Sequence, residues 1–450
     1  MTKQKLEARS RKRHSKGEVP RQQLRLKSTT SGGKRDPVEM IAQSNEGRDQ
    51  RLIPIRHSRM LVSPFTFYRG AAALMAYDLS LEPHSGINVQ CCGDCHILNF
   101  GAFATPERNI IADFNDFDET LPAPFEWDLK RLAVSFVIAA ASVGLSAKAG
   151  ERAVLELTSS YQKAMAKFAK RRLLDVWHEK QNFEEFLENA RDKEARARGR
   201  KYLSKELIKS SPDVLQEKLL EKQGGKWRFK ELPPLLYHDP HVDLKHVRIA
   251  FDGYLQSLSA DKHALLKHFE IVDIARKVVG TGSVGTFCGV LLLEGDNDDL
   301  LILQIKEARN SVLEPYLGES EFDNHGQRVV IGQRIMQSAS DMFLGWTVGK
   351  TGLHLYLRQL RDVKLAPNPA MWNKTTMWDI AIIAGKVLAK AHARSGAARA
   401  IAEYLGDSDQ FAESMAVYAQ AYAELTYSDY RLFAEACQSK RLPTEASSVG

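Results

Sequence analysis

The segment Gln90-Cys91-Cys92-Gly93-Asp94-Cys95-His96-Ile97-Leu98-Asn99-Phe100-Gly101, QCCGDCHILNFG, carries two patterns that imply different chemistry. Cys92, Cys95 and His96 spell C-x-x-C-H, the haem-attachment pattern; Asp94 is followed five residues later by Asn99, the spacing of a catalytic Asp and a metal-binding Asn in phosphoryl transfer. Covalent haem requires export, and the basic start of the chain lacks the continuous apolar core of a secretory signal. A structural zinc site needs about four nitrogen or sulfur ligands. Cys288 and Cys437 are far apart in the sequence and form no second C-x-x-C pair. The loop cysteines are therefore expected to pack as small apolar side chains, and the carboxylate to carry the chemistry.

Outward from this loop, a short strand-like run, Asn109–Ala112, leads into Asp113 of IADFND and then into a turn holding Asp116 and Asp118. Transfer of a nucleotide's γ-phosphoryl group needs a side chain that orients or deprotonates the attacking hydroxyl, and hard oxygen ligands for magnesium. Asp94 fits the first role, and Asn99 with Asp113 the second. Asp116 and Asp118 suit either a second ion or a solvated acidic turn. Far downstream, Gly280-Thr281-Gly282-Ser283-Val284-Gly285 reads G-x-G-x-x-G. In a dinucleotide-binding fold such glycines open a helix. Here the strand-like TFCGVLLLEG follows, so the loop joins two strands and its backbone is free to approach phosphates. One strand later Lys306, in LILQIKEA, takes the place of a lysine that pairs with the α and β phosphates.

The 450 residues carry a formal charge of +7, but residues 1–35 hold 12 Lys and Arg against 2 Asp and Glu, an excess of 10, which leaves −3 for the rest. That balance argues against a nucleic-acid-binding folded body and confines any contact with nucleic acid or an anionic surface to a basic tail, residues 1–50, expected to be disordered. The longest apolar run, LAVSFVIAAASVGL, is too short to span a bilayer, and five cysteines make no extracellular framework. A cytoplasmic location is expected. Periodicity predicts a helix from near Pro64 with Phe67, Ala71, Leu74 and Met75 on one face, and an apolar helix from near Asp128 or Leu129. Increasingly charged helices follow over about 146–230. Four β runs begin near Ile271, with a helix near 323–338 between the third and fourth. Further helices run from Met377 onward.

The segments RMLVSPFTFYRGAAALMAYDL, CGDCHILNFG, DFNDFDE, EWDLKRLA, GQRIMQSASDMFLGW and YLRQLRDVK resemble the DUF2252 family of bacterial proteins over nearly the whole chain after the tail. That family in turn resembles the protein-kinase-like superfamily, above all aminoglycoside and choline kinases, whose catalytic loop reads approximately H-G-D-x-H-x-x-N. Gly93, Asp94, His96 and Asn99 match; Cys92 stands in place of the leading His. The resemblance implies an ATP- and magnesium-dependent phosphotransferase on an α+β, two-lobed, kinase-like fold. It also implies an altered order, because the catalytic loop precedes the Gly-rich loop. The chain resembles a circular permutant whose helix AGKVLAKAHARSG, near the end, normally leads into the catalytic loop.

In this reading residues 51–150 carry the catalytic loop, 151–265 form a helical insertion or cap, 266–365 a small β-rich nucleotide-binding lobe, and 366–450 complete the large lobe. Asp128 of EWDL is implied to begin a buried helix and hold the catalytic loop. The run near Tyr356, Leu357 and Leu360 resembles the strand and hinge that meet adenine. Glu314, Glu319, Glu321, Gln327 and Gln333 are the candidate partners of Lys306. Arg69, Arg358 and Arg361 are basic residues suited to phosphate, to an acidic substrate or to a salt bridge. The acceptor is left open, as is nucleotidyl transfer to protein or nucleotide binding without turnover.

Overall fold

The structure, a computed structural model, describes residues 35–209, 212–278, 280–360, 364–365 and 367–445. Residues 1–34 of the basic tail, and Arg361, lie outside the described residues. The fold is a mixture of helices and several small sheets, as the α+β reading expects at that level. Its helical body is built on Phe125–Ser142, a helix in which all residues from Phe125 to Ala140 are buried. Burial on every side explains why this helix shows little polar striping. Against it pack the helices Ala147–Phe168, Lys374–Arg394 and Gln410–Gln438. Leu132, Phe136, Leu157, Tyr161, Val387 and Leu388 are fully buried within this one core.

The second layer is an antiparallel sheet in the order β11-β12-β10-β9-β8-β7: β7 is Leu236–Tyr237, β8 Glu270–Lys277, β9 Cys288–Glu294, β10 Leu300–Glu307, β11 Gly345–Val348 and β12 His354–Gln359. The four apolar runs expected from Ile271 onward are β8, β9, β10 and β12. Alternation along β10 divides its residues by face. Leu301, Leu303 and Ile305 pack beneath the helix Leu244–Gln256 with Phe251 and Tyr254. Gln304 and Lys306 point the other way, toward the helical body. The DNDD turn between β9 and β10 is tight, with Asn297 and Asp298 at φ 59° and 58°.

Earlier in the chain are β1 (Asn88–Cys91), which pairs with β4 (Leu121–Pro124), and β2 (Phe100–Ala104), which pairs with β3 (Ile110–Phe114). The hairpin β5 (Leu220–Gln223) and β6 (Lys226–Phe229) turns at Gly224-Gly225. The two-residue β13 (Lys364–Leu365) adds to β2. The helix expected near Pro64 begins there, capped by Ser63 with Pro64 in its first turn. It stops at Gly70, and a second helix, Ala72–Ser80, continues.

Two segment boundaries differ from those expected. Residues 36–50 are not tail: Asp36 caps a helix at Pro37–Gln43. Just before it, Arg35 forms ion pairs with Asp78 and Asp429. Nor is 151–265 one inserted unit. The helix Ala147–Phe168 belongs to the main helical core, while β7 and the helix Leu244–Gln256 belong to the sheet. Periodicity reports that a helix has an apolar face but not which neighbour covers it. No helix among the described residues is long and apolar enough to cross a membrane.

Candidate functional site

Between the sheet and the helical body lie two neighbouring chambers of about 420 and 330 Å³ that share Asp116, Gly280 and Ser283. The larger contains Asp94, Asn99, Asp118 and Thr281; the smaller contains Lys306, Arg358 and Leu360. Segments nearly two hundred residues apart in the chain thus meet at one cleft.

Residues 92–99 are held from below. Asp128 lies in the first turn of the helix Phe125–Ser142, where its carboxylate accepts hydrogen bonds from the backbone N–H groups of Cys92, at 2.7 Å, and Gly93, at 3.0 Å. His392, near the end of the helix Lys374–Arg394, lies 3.4 Å from the same carboxylate. Ser395, just beyond, accepts from the Gln90 N–H. Gly93 adopts φ +82°, and a Cβ there would sit 2.2 Å from the Glu119 carbonyl oxygen. Only glycine lets the Asp94 loop press against the acidic turn 116–119.

Asp94 is partly exposed, and its Oδ1 receives the Arg131 guanidinium at 2.6 Å. Arg131 is itself fixed by the Tyr68 carbonyl and stacks over the Tyr68 ring. His96 approaches Asp94 Oδ2 at 3.7 Å, but burial holds its pKa down to about 4, so it stands neutral beside the carboxylate at pH 7. Asn99 donates its amide to the Asp94 carbonyl at 2.8 Å, which turns its Oδ1 away from that bond. The cysteines are chemically quiet. Cys92, Cys95 and Asp128 bring ligand-type atoms within 4.8 Å of one another, as do Cys91, Asp128 and His392. Both Asp128 oxygens already accept backbone hydrogens, however, and burial pushes the Cys95 thiol up to about 11 and those of Cys91 and Cys92 well above their ordinary value.

Lys306 meets none of the partners expected from the sequence. Its ammonium lies 2.6 Å from Asp118 Oδ2 and 3.8 Å from Asp116 Oδ1. The Tyr356 hydroxyl donates to Asp118 Oδ1. Burial would lower the Lys306 pKa, but the two carboxylates outweigh it and raise it. The helix His325–Met336 reaches this group through Arg328, which donates to the carbonyls of Asp118, Thr120 and Arg309. Glu314 faces Arg328 at 3.7 Å. The helix thus supplies no partner for the lysine but a cation that pins the backbone of the acidic turn.

Asp113, expected from the sequence to hold metal, lines neither chamber. It is fully buried behind the cleft, with Lys390 at 2.5 Å and the Ser338 hydroxyl at 3.0 Å on its Oδ2. Alternation along β3 turns it away from the turn in which Asp116 and Asp118 face the chambers. The proposed hinge also divides. Tyr356 faces Lys306 and Leu360 lines the smaller chamber, whereas Leu357 packs on the opposite face of the sheet with Tyr254. The Leu360 N–H is used by the Ile302 carbonyl.

The Gly-rich loop joins β8 to β9 as expected, and Gly280 to Ser283 line the larger chamber. It is clasped by residues from the start of the described chain. Arg48 donates to the carbonyls of Gly282 and Val284, and Arg59 to that of Gly280. Gly285, at φ +90°, leaves room for Arg48, whose Cβ would otherwise meet an added Cβ at 2.9 Å. Arg48 lies within residues 1–50, where the basic composition gives no sign of a folded contact. Arg131 carried a readable signal, since it follows Asp128 by three residues on one helix face.

A family model described as "Uncharacterized protein conserved in bacteria (DUF2252)" matches residues 48–436. The chain belongs to this family. No curated protein and no solved structure matches it. The matched DUF2252 segment begins at Arg48, the residue that clasps the Gly-rich loop, and includes both chambers except the part near Gln43.

One member of this DUF2252 site has an unusual titration. Burial pushes Glu119 up to about 7, against the pull of the Val312 N–H on its Oε2 at 2.7 Å. Since the folded pKa lies above the free value of 4.5, the protonated side chain favours folding. Its contribution is full below that value and is lost as pH rises through about 7. Urea titrations should therefore show the parent protein losing stability relative to Glu119→Gln between about pH 5 and pH 8. Parallel pH dependences would refute the assignment.

Proposed function

We propose that the protein is an ATP- and magnesium-dependent phosphotransferase acting on a hydroxyl, built as a two-lobed kinase-like fold in circularly permuted order. The observation that carries this reading is the meeting of the Gly280–Ser283 backbone, Lys306, Asp94, Asn99 and the Asp116/Asp118 pair at one cleft. The contacts of His392 with Asp128 and of Ser395 with Gln90 support the permutation, since they set the end of the helix Lys374–Arg394 beside the strand that enters the catalytic loop.

The donor set fits magnesium: two carboxylates and an amide oxygen are hard ligands, and this ion commonly takes only one or two protein carboxylates and keeps several waters. Asp116, Asp118 and Asn99 would hold it, in place of the Asp113 of the sequence reading. Bound there, it would offset phosphate charge. Lys306, released from Asp118, would pair with the nucleotide's phosphates, and the Gly-rich turn would offer backbone N–H groups. Arg131, 2.6 Å from Oδ1, holds the Asp94 side chain in place, so that Asp94 orients the acceptor hydroxyl and receives its proton. The acceptor oxygen forms its bond to the γ-phosphorus as the bond to the β–γ bridging oxygen breaks, and ADP leaves.

Isothermal titration of the full chain with Mg-ATP should show saturable binding below millimolar nucleotide. Asp116→Ala should weaken it at least tenfold, whereas Asp113→Asn, if folded, should not. Absence of binding by the parent protein at millimolar Mg-ATP would overturn the reading.

A further inference from the structure

The larger chamber, which Lys306 does not line, has guanidinium groups in its wall beside Asp94. Arg56, on the helix Ile53–Leu61, is 1 % exposed. It donates to Asn45 Oδ1 at 2.7 Å and to the Gly70 carbonyl at 2.9 Å, while its buried Nε has no partner. Through Gly70 it fixes the backbone next to Arg69. Arg69 itself makes no hydrogen bond or ion pair among the described residues, and its Nε is buried without a partner. Burial lowers its pKa, and Asp94 and Asp116 oppose that. Arg69 is half-buried, so a guanidinium nitrogen without a partner there carries a desolvation cost that a bound anion would offset. Its planar fork of donors matches an oxyanion in two-point contact.

Position identifies which oxyanion. Arg69 and Asp94 line the larger chamber and are absent from the smaller one that holds Lys306. Arg69 thus shares a chamber with Asp94 and with the Gly280–Ser283 turn, its carbonyl oxygen 3.6 Å from where a Cβ on Gly282 would lie, and does not share one with Lys306. We propose that the acceptor is an alcohol bearing a phosphate or carboxylate, and that Arg69, backed by Arg56, binds that anionic group while Asp94 meets the hydroxyl. The inference rests on the phosphotransferase reading and deepens it.

The test uses the full chain saturated with magnesium and the β,γ-imido analogue of ATP, so that the γ position is filled. Inorganic phosphate and acetate are then titrated separately by calorimetry against the parent protein, Arg69→Met and Arg69→Lys. At least one anion should bind the parent complex in the millimolar range. Arg69→Met should weaken it tenfold or more and Arg69→Lys less, with the nucleotide affinity unchanged and the melting temperature not lowered. Whichever anion binds identifies the acidic group. If neither binds, or if Arg69→Met binds like the parent, the inference falls while the phosphotransferase reading stands. A tenfold loss of nucleotide affinity in Arg69→Met would assign Arg69 to the γ-phosphate and equally overturn it. Failure of the parent to bind nucleotide would instead bring down the phosphotransferase reading, and this inference with it.

Discussion

Asp94→Asn is expected to slow phosphoryl transfer by about 10²–10⁴-fold, the range for loss of a positioned proton acceptor, while Mg-ATP affinity changes by less than about threefold. Asn keeps the shape of Asp and one oxygen for Arg131, which now meets Asp94 Oδ1 at 2.6 Å. What it cannot do is take a proton from the attacking hydroxyl. Water competes for the γ-phosphoryl group in a cleft of this kind, so slow Mg-ATP hydrolysis provides a readout without the acceptor. The separation of binding from turnover is the diagnostic feature. A variant with unchanged turnover would remove Asp94 from the chemistry, and one that lost nucleotide binding would place it among the phosphate or metal contacts.

The second large effect concerns stability. Lys390 and Asp113 are both fully buried, 2.5 Å apart, with the Ser338 hydroxyl and N–H completing the shell around Asp113. Removing one member leaves the other charge buried without its partner, a loss of about 3–5 kcal/mol, which is a large share of the total stability of a typical domain. Lys390→Met should therefore lower the urea midpoint strongly. The double variant Asp113→Leu with Lys390→Met should recover part of the loss, because two apolar groups have no charge to desolvate. Burial lowers the Lys390 pKa despite the nearby carboxylate, which marks how costly this site is for a lone cation. If Lys390→Met were neutral in stability but abolished the magnesium dependence of ATP binding, Asp113 would return to the metal site.

Much of the site was readable because its parts are local. Asp94 and Asn99 fall on one short loop, and the glycines of 280–285 occupy a turn whose flanking runs are visibly strands. The same holds for Lys306, whose position on β10 follows from alternation. The role of Asp128 followed from resemblance, and its hydrogen bonds to Cys92 and Gly93 agree with it. Less accessible were the residues whose meaning depends on direction. Asp113, Asp116 and Asp118 lie within six residues, and the end of β3 decides that the first faces Lys390 while the other two face Lys306.

Local chemistry along the chain therefore determined which residues are able to act: the acidic loop, the glycine turn, the lone lysine on a strand and the apolar helix beneath them. Only the tertiary structure decided which of them meet. Charges separated by hundreds of residues become partners through packing of the helical body against the sheet, and the sequence holds no local record of that distance. Arg48 on the glycine turn, Arg328 on the acidic turn and Arg69 beside Asp94 all owe their places to that packing. A guanidinium reads the same in the sequence whether water or a buried carboxylate will surround it, and burial alone sets the difference in energy.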